Sequence, residues 1–356
     1  MGVSRIIGLD IGTSAVKMVE IDRSKKGMRL DFVGLAPLPE GAIVNKSIKK
    51  PDAIRSAIRA LLNNSKTRTK LVATSLAGQS IIIKHVTMTS MTDAQLEKQI
   101  GIEAEAYIPF DLKEVNIDFF IMGDRPEKEG YMDVVLVAAK KETMNEHIDL
   151  ISGLNLTPVV VDVDPFALEV MFEWGYQLVQ DELVALVDIG ASTTTINILK
   201  LRASQYTKDI SIGGESLTQE IMKQFDVDHT RAENIKRGAQ LEKIKIPPSQ
   251  LRKTFQRSVD AIVSEVHKVF EYYQQNIGYD PIPKIFLSGG ASRTYGLVST
   301  MEADLGIPVE IVDPFLNIGA IDPKVFDMEY LRYIGPSMAV AVGLALRDEE
   351  DKETKD

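Results

Sequence analysis

No cysteine occurs among the 356 residues, which excludes disulfides, thiolate metal sites and cysteine nucleophiles together and fits a reducing compartment. Long hydrophobic runs are missing as well: the longest apolar stretch, residues 338–346, spans nine residues, far short of the roughly 18 that would suggest a membrane helix. The start of the chain has no charged segment followed by a long apolar one, so no secretory leader is visible. A soluble, cytoplasmic chain is the expectation. Basic charge is also in deficit, with 41 Lys and Arg against 51 Asp and Glu and a formal net charge of −10. Phosphate-backbone binding needs a basic surface. The basic clusters here are short, such as Lys46, Lys49 and Lys50 or Lys66, Arg68 and Lys70, and read as solvated surface. Nucleic-acid binding is therefore not expected. His85, His147, His229 and His267 show no metal-ligand spacing, and the single tryptophan, Trp174, reads as core.

What is present is ordinary globular composition, 44% hydrophobic and 26% charged, with enough chain for two domains of roughly 100 to 200 residues sharing a cleft. The runs 6–9, 16–21 and 30–36 read as strands, the first two joined by a glycine-bearing turn. Residues 51–62 read as a helix started by Pro51, with Ile54, Ile58 and Leu61 on one face. Further strands fall at 71–75, 81–85, 117–122 and 134–138. A helix over 93–107 carries Leu96, Ile100, Ala104 and Tyr107 on one face, with Thr92 and Gln95 at capping-box spacing and Pro109 as its stop. A helix over 142–154, a buried strand at Val159-Val160-Val161 and a helix from Asp164-Pro165 to about Trp174 follow.

At Leu183 the opening pattern returns. Leu183-Val184-Ala185-Leu186-Val187-Asp188-Ile189-Gly190 repeats Ile6-Ile7-Gly8-Leu9-Asp10-Ile11-Gly12 at a separation of 178 residues, half the chain. Small and hydroxyl residues and a second alternating run follow each copy. Duplication of one strand-rich α/β unit is the simplest account. The second half then turns helical, over 216–225 and 251–277, where Ile262, Val266, Val269, Phe270, Tyr273 and Ile277 form a core stripe. Ile285-Phe286-Leu287-Ser288-Gly289-Gly290 is a buried strand ending in a glycine turn, and the Ala/Gly/Val-rich element at 336–347 suits a helix pressed against another backbone.

An Asp-x-Gly turn followed by hydroxyl residues between two strands has a physical use: glycine allows the tight backbone, successive N–H groups form an anion nest, and the carboxylate can hold a hydrated Mg²⁺. Two such turns facing across a cleft would clamp phosphates from both sides. Lys17, seven residues after Asp10, is placed to reach them. The turn Ser288-Gly289-Gly290-Ala291-Ser292 lets a base or ribose approach the backbone.

These segments resemble the motifs of the actin-like ATPase superfamily. Gly8-Leu9-Asp10-Ile11-Gly12-Thr13-Ser14 is similar to its phosphate-1 loop, Val187-Asp188-Ile189-Gly190-Ala191-Ser192-Thr193 to phosphate-2, and Ile285-Phe286-Leu287-Ser288-Gly289-Gly290-Ala291-Ser292 to the adenosine motif. Residues 162–172 and 337–346 are similar to the two connecting helices. The resemblance implies an α/β actin-like ATPase fold: two duplicated domains around a nucleotide cleft, with an FtsA-like inserted subdomain. It implies a first domain over 1–180 with the insertion at about 85–154, a second over 181–336, a returning helix at 337–347 and a charged tail at 348–356.

For ATP and Mg²⁺ it implies that Asp10 and Asp188 hold the metal through water. Gly12, Thr13, Ser14, Lys17, Gly190, Ala191, Ser192 and Thr193 would line the phosphates. Gly289, Gly290 and Ser292 would meet ribose and base, and Glu233 and Lys236, with Gly214 nearby, would bracket the nucleoside. Asp164 falls where an acidic or amide residue orients the attacking water. Being shorter than glutamate, it implies slow or absent hydrolysis.

Within the superfamily, Glu103-Ala104-Glu105-Ala106-Tyr107-Ile108-Pro109-Phe110-Asp111 resembles a signature of the PilM family of type IV pilus assembly proteins, relatives of FtsA. This implies an adaptor peripheral to the inner membrane, associated with other pilus inner-membrane components. Its partner would be the cytoplasmic N-terminal peptide of a PilN-like bitopic membrane protein, docked as an extended segment in a groove. Leu96, Ile100, Ala104 and Tyr107 are expected to help wall that groove, with at least half of them in the core. The charged end from Arg347 onward lacks the basic amphipathic helix with which FtsA-like proteins bind membranes, so no direct membrane insertion is expected. The alternatives are a filament-forming relative that self-associates, or a small-molecule kinase of the same fold, for which no segment clearly supplies a substrate-pocket base.

Overall fold

The computed structural model describes residues 5–24, 27–78, 80–125, 127–176, 182–200, 203–238, 246–319 and 321–348. The charged tail beyond 348 lies outside them.

The opening strand-turn-strand forms as the alternation predicts. Strand β1 (Ile7–Ile11) pairs antiparallel with β2 (Ala15–Ser24), and β2 with β3 (Gly27–Pro37). A short hairpin, β4 (Ile43–Val44) and β5 (Ser47–Ile48), precedes α1 (Pro51–Ser65). Proline stands at the first turn of α1, where its missing N–H is no loss, and Ile54, Ala57, Ile58 and Leu61 are buried along one face. Strand β6 (Leu71–Leu76) then pairs parallel to β1.

The chain next leaves this sheet to build a smaller one. Strands β7 (Ile81–Thr89), β8 (Val115–Asp124) and β9 (Tyr131–Lys140) form a three-stranded sheet ordered β7-β9-β8, with α2 (Asp93–Ala104) against it. Gln95 Oε1 accepts the Thr92 N–H at 2.9 Å, as the capping-box spacing anticipates. The helix ends at Ala104, three residues before Tyr107. Helix α3 (Lys141–Ser152), grouped with the insertion from sequence, instead packs Leu150 and Ile151 into the core beneath β1 and α1. Strand β10 (Thr157–Val163) pairs parallel to β6 and runs into α4 (Asp164–Gly175).

The second half repeats the first. Strand β11 (Leu183–Ile189) pairs antiparallel with β12 (Thr194–Lys200), and β12 with β13 (Ala203–Ile210). Helices α5 (Gly214–Phe225), α6 (His229–Lys236) and α7 (Pro248–Asn276) follow. Strand β14 (Ile285–Ser288) pairs parallel to β11, and after α8 (Leu297–Leu305), β15 (Val309–Ile311) pairs parallel to β14. The sheets are ordered β10-β6-β1-β2-β3 and β13-β12-β11-β14-β15. Each is three antiparallel strands followed by two parallel additions, so the duplicated motif marks a duplicated topology. Asp10 lies opposite Lys17 in one hairpin and Asp188 opposite Thr195 in the other. The duplication is thus symmetric in its aspartates and asymmetric in its lysine.

Helix α9 (Met328–Ile334) and a 3-10 turn lead into α10 (Ala339–Ala345), all seven residues of which are buried. One core joins both halves: Val19, Ile21 and Ala73 of the first sheet, Val184, Leu186 and Phe286 of the second, and α4 and α10 between them. Two expectations about the core fail. Trp174 is 46% exposed and Ile277 41% exposed, each at the end of a helix where the buried face has run out.

A charged network sits beside this shared core. Asn197 Nδ2 donates to Pro165 O at 2.9 Å and reaches Glu169 Oε2 at 3.5 Å, while Arg347 pairs with Asp162 at 2.6 Å. Burial first, then Glu173, pushes Glu169 up to about 8, with Asn197 and Arg347 opposing. A carboxyl raised on folding favours the fold below its ordinary range and withdraws that support as pH climbs toward 8. Glu169→Gln is therefore expected to raise the melting temperature at pH 8 and leave it nearly unchanged at pH 5. An equal gain at both values would refute this.

Candidate functional site

The two Asp-x-Gly turns meet. Gly12 N donates to Ala15 O at 3.1 Å and Gly190 N to Thr193 O at 2.9 Å, so both loops close identically. Thr13 Oγ1 and Ser192 Oγ stand 2.9 Å apart across 179 residues of sequence. Among the described residues, the N–H groups of Thr13, Ser14 and Ser192 donate to no other protein group, as an anion nest requires.

Below the loops lie carboxylates around a lysine. Lys17 Nζ donates to Asp10 Oδ2 at 2.6 Å. Burial alone would lower the Lys17 pKa, but Asp10, then Asp188 and Asp164, outweigh it and hold the ammonium above its ordinary value. Asp188 Oδ1 accepts from Ser288 Oγ at 2.7 Å. Burial raises Asp188, against Lys17 and Ser288. Asp164, at the start of α4, accepts from Ser75 Oγ at 2.6 Å and lies 3.7 Å from Lys46 Nζ. Burial pushes it up to about 7, with Lys46 opposing. Three carboxylates and two ammonium groups thus converge from β1, β2, β11, α4 and the β4–β5 hairpin. The hard oxygens of Asp10 and Asp188, beside open backbone N–H groups, fit a hydrated Mg²⁺ carrying phosphates.

The second half supplies the far side. Gly214 N donates to Gly190 O at 2.9 Å and Glu215 N to Ala191 O at 2.7 Å, pressing α5 onto the second Asp-x-Gly turn. Lys236 Nζ donates to Gly214 O at 3.1 Å and Thr218 Oγ1 at 2.8 Å and pairs with Glu233. Burial would raise Glu233, but Lys236, Thr218 and Arg237 together hold it below the usual carboxylate range. His229 belongs here too: ligating atoms of Glu215, His229 and Glu233 lie within 4.8 Å of one another. Their spacing gave no hint of this, because a loop between α5 and α6 brings them together.

Gly289 has φ +91° and an added Cβ would sit 2.3 Å from Ile189 O, so only glycine lets β14 turn this close to β11. Gly290 is exposed beside it. Ser292 is buried and its hydroxyl donates to Gly289 O at 2.7 Å; it fastens the turn and does not present itself to a ligand, contrary to expectation.

The helix expected to help wall the groove lies elsewhere, on the three-stranded sheet, and as expected most of its four residues turn to the core. Leu96 and Ala104 are fully buried and Ile100 packs against the same core, because a helix on so small a sheet must spend its apolar face inward. Tyr107, 38% exposed, is the most exposed of the four. It lines a depression of about 410 Å³ with Ile82, Lys84, Ile108 and Pro109. Sequence reasoning missed Lys46, Ser75 and Ser288; only Ser288, inside a quoted motif, had a signal that could have identified it.

Two duplicated sheets whose first hairpins meet beside Asp10 and Asp188 have the fold of the actin-like ATPases. A model of the type IV pilus assembly protein PilM matches residues 8–349, and the chain belongs to that family. It superposes on a chain of the PilM-PilN type IV pilus biogenesis complex with a TM-score of 0.83 and 29% identity, covering 96% of this chain and 98% of that one. It is 27% identical to the cell division protein FtsA of Pseudomonas aeruginosa, over 89% of this chain and 85% of the relative. MreB5 of Spiroplasma citri bound to ADP shares the fold at a TM-score of 0.53 and 12% identity, over 93% and 98% of the two chains.

Proposed function

We propose that this chain is an ATP- and Mg²⁺-binding adaptor of the type IV pilus assembly machinery, with slow or absent hydrolysis. Its partner is the cytoplasmic N-terminal peptide of a PilN-like bitopic membrane protein. The observation that carries the nucleotide reading is the 2.9 Å contact between Thr13 and Ser192, which sets two phosphate-type turns face to face. On this reading Asp10 and Asp188 hold Mg²⁺ through water, and the ion offsets phosphate charge. Lys17 and the open N–H groups of both loops take the phosphates. Gly214, Glu233 and Lys236 flank the nucleoside, and Gly289 and Gly290 admit it. The actin-like domains are 1–180, with an inserted subdomain at about 85–154, and 181–336, with the helix at 337–347 returning to their interface.

Asp164 is the candidate for orienting water. A carboxyl near pH 7 suits a base, but Ser75 occupies one oxygen and Lys46 faces the other. That supports slow turnover. Support for the partner comes from the likeness to a chain of the PilM-PilN complex. None of the described helices is long and apolar enough to cross a membrane, so attachment to the inner membrane would run through that partner. The depression at Tyr107 is the proposed end of the peptide groove, since an extended peptide needs apolar side-chain pockets beside a strand.

Titrating a labelled N-terminal PilN peptide into the protein, with and without Mg-ATP, tests the adaptor reading. Saturable binding that Tyr107→Ala weakens is expected. Absence of binding in both states would defeat it, and equal affinity in both would separate partner binding from the nucleotide cleft.

A further inference from the structure

The β4–β5 hairpin turns through Asn45 and Lys46, both in the left-handed region at φ 50° and 63°. Glycine would be the unstrained choice in such a turn. Here the turn aims a lysine into the cleft. Lys46 Nζ lies 3.7 Å from Asp164 Oδ2, an ion-pair distance too long for a hydrogen bond. Its charge also acts on Asp188. Lys17 is held differently, at 2.6 Å from Asp10 on a central strand.

The stem of Lys46 covers Gly78, where an added Cβ would sit 2.7 Å from Lys46 Cγ. Gly78, at φ +87°, donates its N–H across the halves to Asp209 Oδ2 at 3.1 Å. Asp209 Oδ1 accepts from Thr195 Oγ1 at 2.7 Å, and Thr195 is the residue opposite Asp188. One side chain therefore touches the water-orienting carboxylate at its tip and an inter-half bridge along its stem.

We infer that Lys46 reads the terminal phosphate of a bound nucleoside triphosphate, leaving Asp164 for that phosphate and so coupling its presence to the Gly78–Asp209 bridge. This rests on the nucleotide-binding reading above. Asp164, raised by burial, is a weak counter-ion for an ammonium at neutral pH, and a terminal phosphate carrying more charge competes for it. A diphosphate leaves Lys46 where it is. The departure would also uncover the Asp164 oxygen that Lys46 faces.

The test measures Mg-ATP and Mg-ADP affinity of the full chain by calorimetry for the parent, Lys46→Gln and Lys46→Arg. Losing one charge-assisted contact should weaken ATP about tenfold in Lys46→Gln and leave ADP within about twofold, while Lys46→Arg keeps most of the preference. Hydrogen exchange of the peptide containing Gly78 should quicken with ATP relative to ADP in the parent, as the lysine stem draws away from Gly78, and lose that difference in Lys46→Gln. An unchanged ATP-to-ADP ratio in Lys46→Gln, or an equal loss for both nucleotides, overturns the inference while the nucleotide reading stands. A parent protein that binds neither nucleotide overturns both.

Discussion

Gly343→Ala is expected to abolish the cooperative folding transition or lower its midpoint drastically. The Cβ it adds would sit 1.8 Å from Ala167 O, inside the contact between α10 and α4. Neither backbone can yield: α10 is buried on every side, and its opposite face meets β1, where a Cβ on Gly8 would lie 2.0 Å from Ala341 O. Overpacking against side chains costs about 1 to 3 kcal/mol. A clash with backbone on one side of a buried helix that β1 confines on the other exceeds that and approaches the roughly 5 to 15 kcal/mol of a domain's whole stability. Gly101→Ala is the control. Its Cβ meets nothing within 4 Å in the middle of α2, so helix propensity alone should stabilise that variant by about 1 kcal/mol. Urea denaturation of both variants checks the pair. A Gly343→Ala midpoint close to the parent's would mean that α4 and α10 do not approach so closely.

How much of this was legible in the sequence depends on the range of each interaction. The repeat of Asp-Ile-Gly at Asp10 and Asp188 sufficed for two equivalent sheets, because strand-turn-strand is encoded within about twenty residues by alternation and glycine. The Ala/Gly/Val composition of the last helix likewise announced a close backbone approach, found at Gly343 and Gly8. Periodicity located α2 but not its surroundings: the stripe of Leu96, Ile100 and Ala104 looks the same whether it walls a groove or fills the core of a small sheet, and the core took it.

Lys46 was invisible for another reason. Within a run of lysines it reads as solvated surface, and only the left-handed turn at Asn45 and Lys46 sends it inward. Asp209 and Ser75 matter through partners 131 and 89 residues away, a range over which one sequence carries no pairing information. The Ser292 error is instructive in the opposite sense. A hydroxyl beside two glycines was read as a ligand contact, yet burial obliges it to satisfy itself, and the nearest acceptor is its own turn.

Asp188→Asn is expected to make the ligand-free protein more stable and the nucleotide-bound protein much less so. Burial raises the Asp188 pKa, and Lys17 and Ser288 only partly compensate. The ionised form is thus disfavoured by the fold, and stability is lost as pH rises above the ordinary carboxylate range. Asparagine keeps the shape and the acceptor for Ser288 while removing the charge. The ligand-free melting temperature should rise at pH 8 and show no gain at pH 4.

Metal-ligand and supporting substitutions commonly cost about 10- to 100-fold in affinity. At a concentration where Mg-ATP stabilises the parent by about 2.7 kcal/mol, a variant binding 100-fold more weakly would keep only about 0.4 kcal/mol. The melting shift on adding Mg-ATP should then nearly vanish in the variant. A full shift in Asp188→Asn would remove Asp188 from the metal shell, and no shift in the parent would remove nucleotide from the cleft. A gain in stability paired with loss of the shift is the sign of a carboxylate kept buried at a cost for the sake of its ligand.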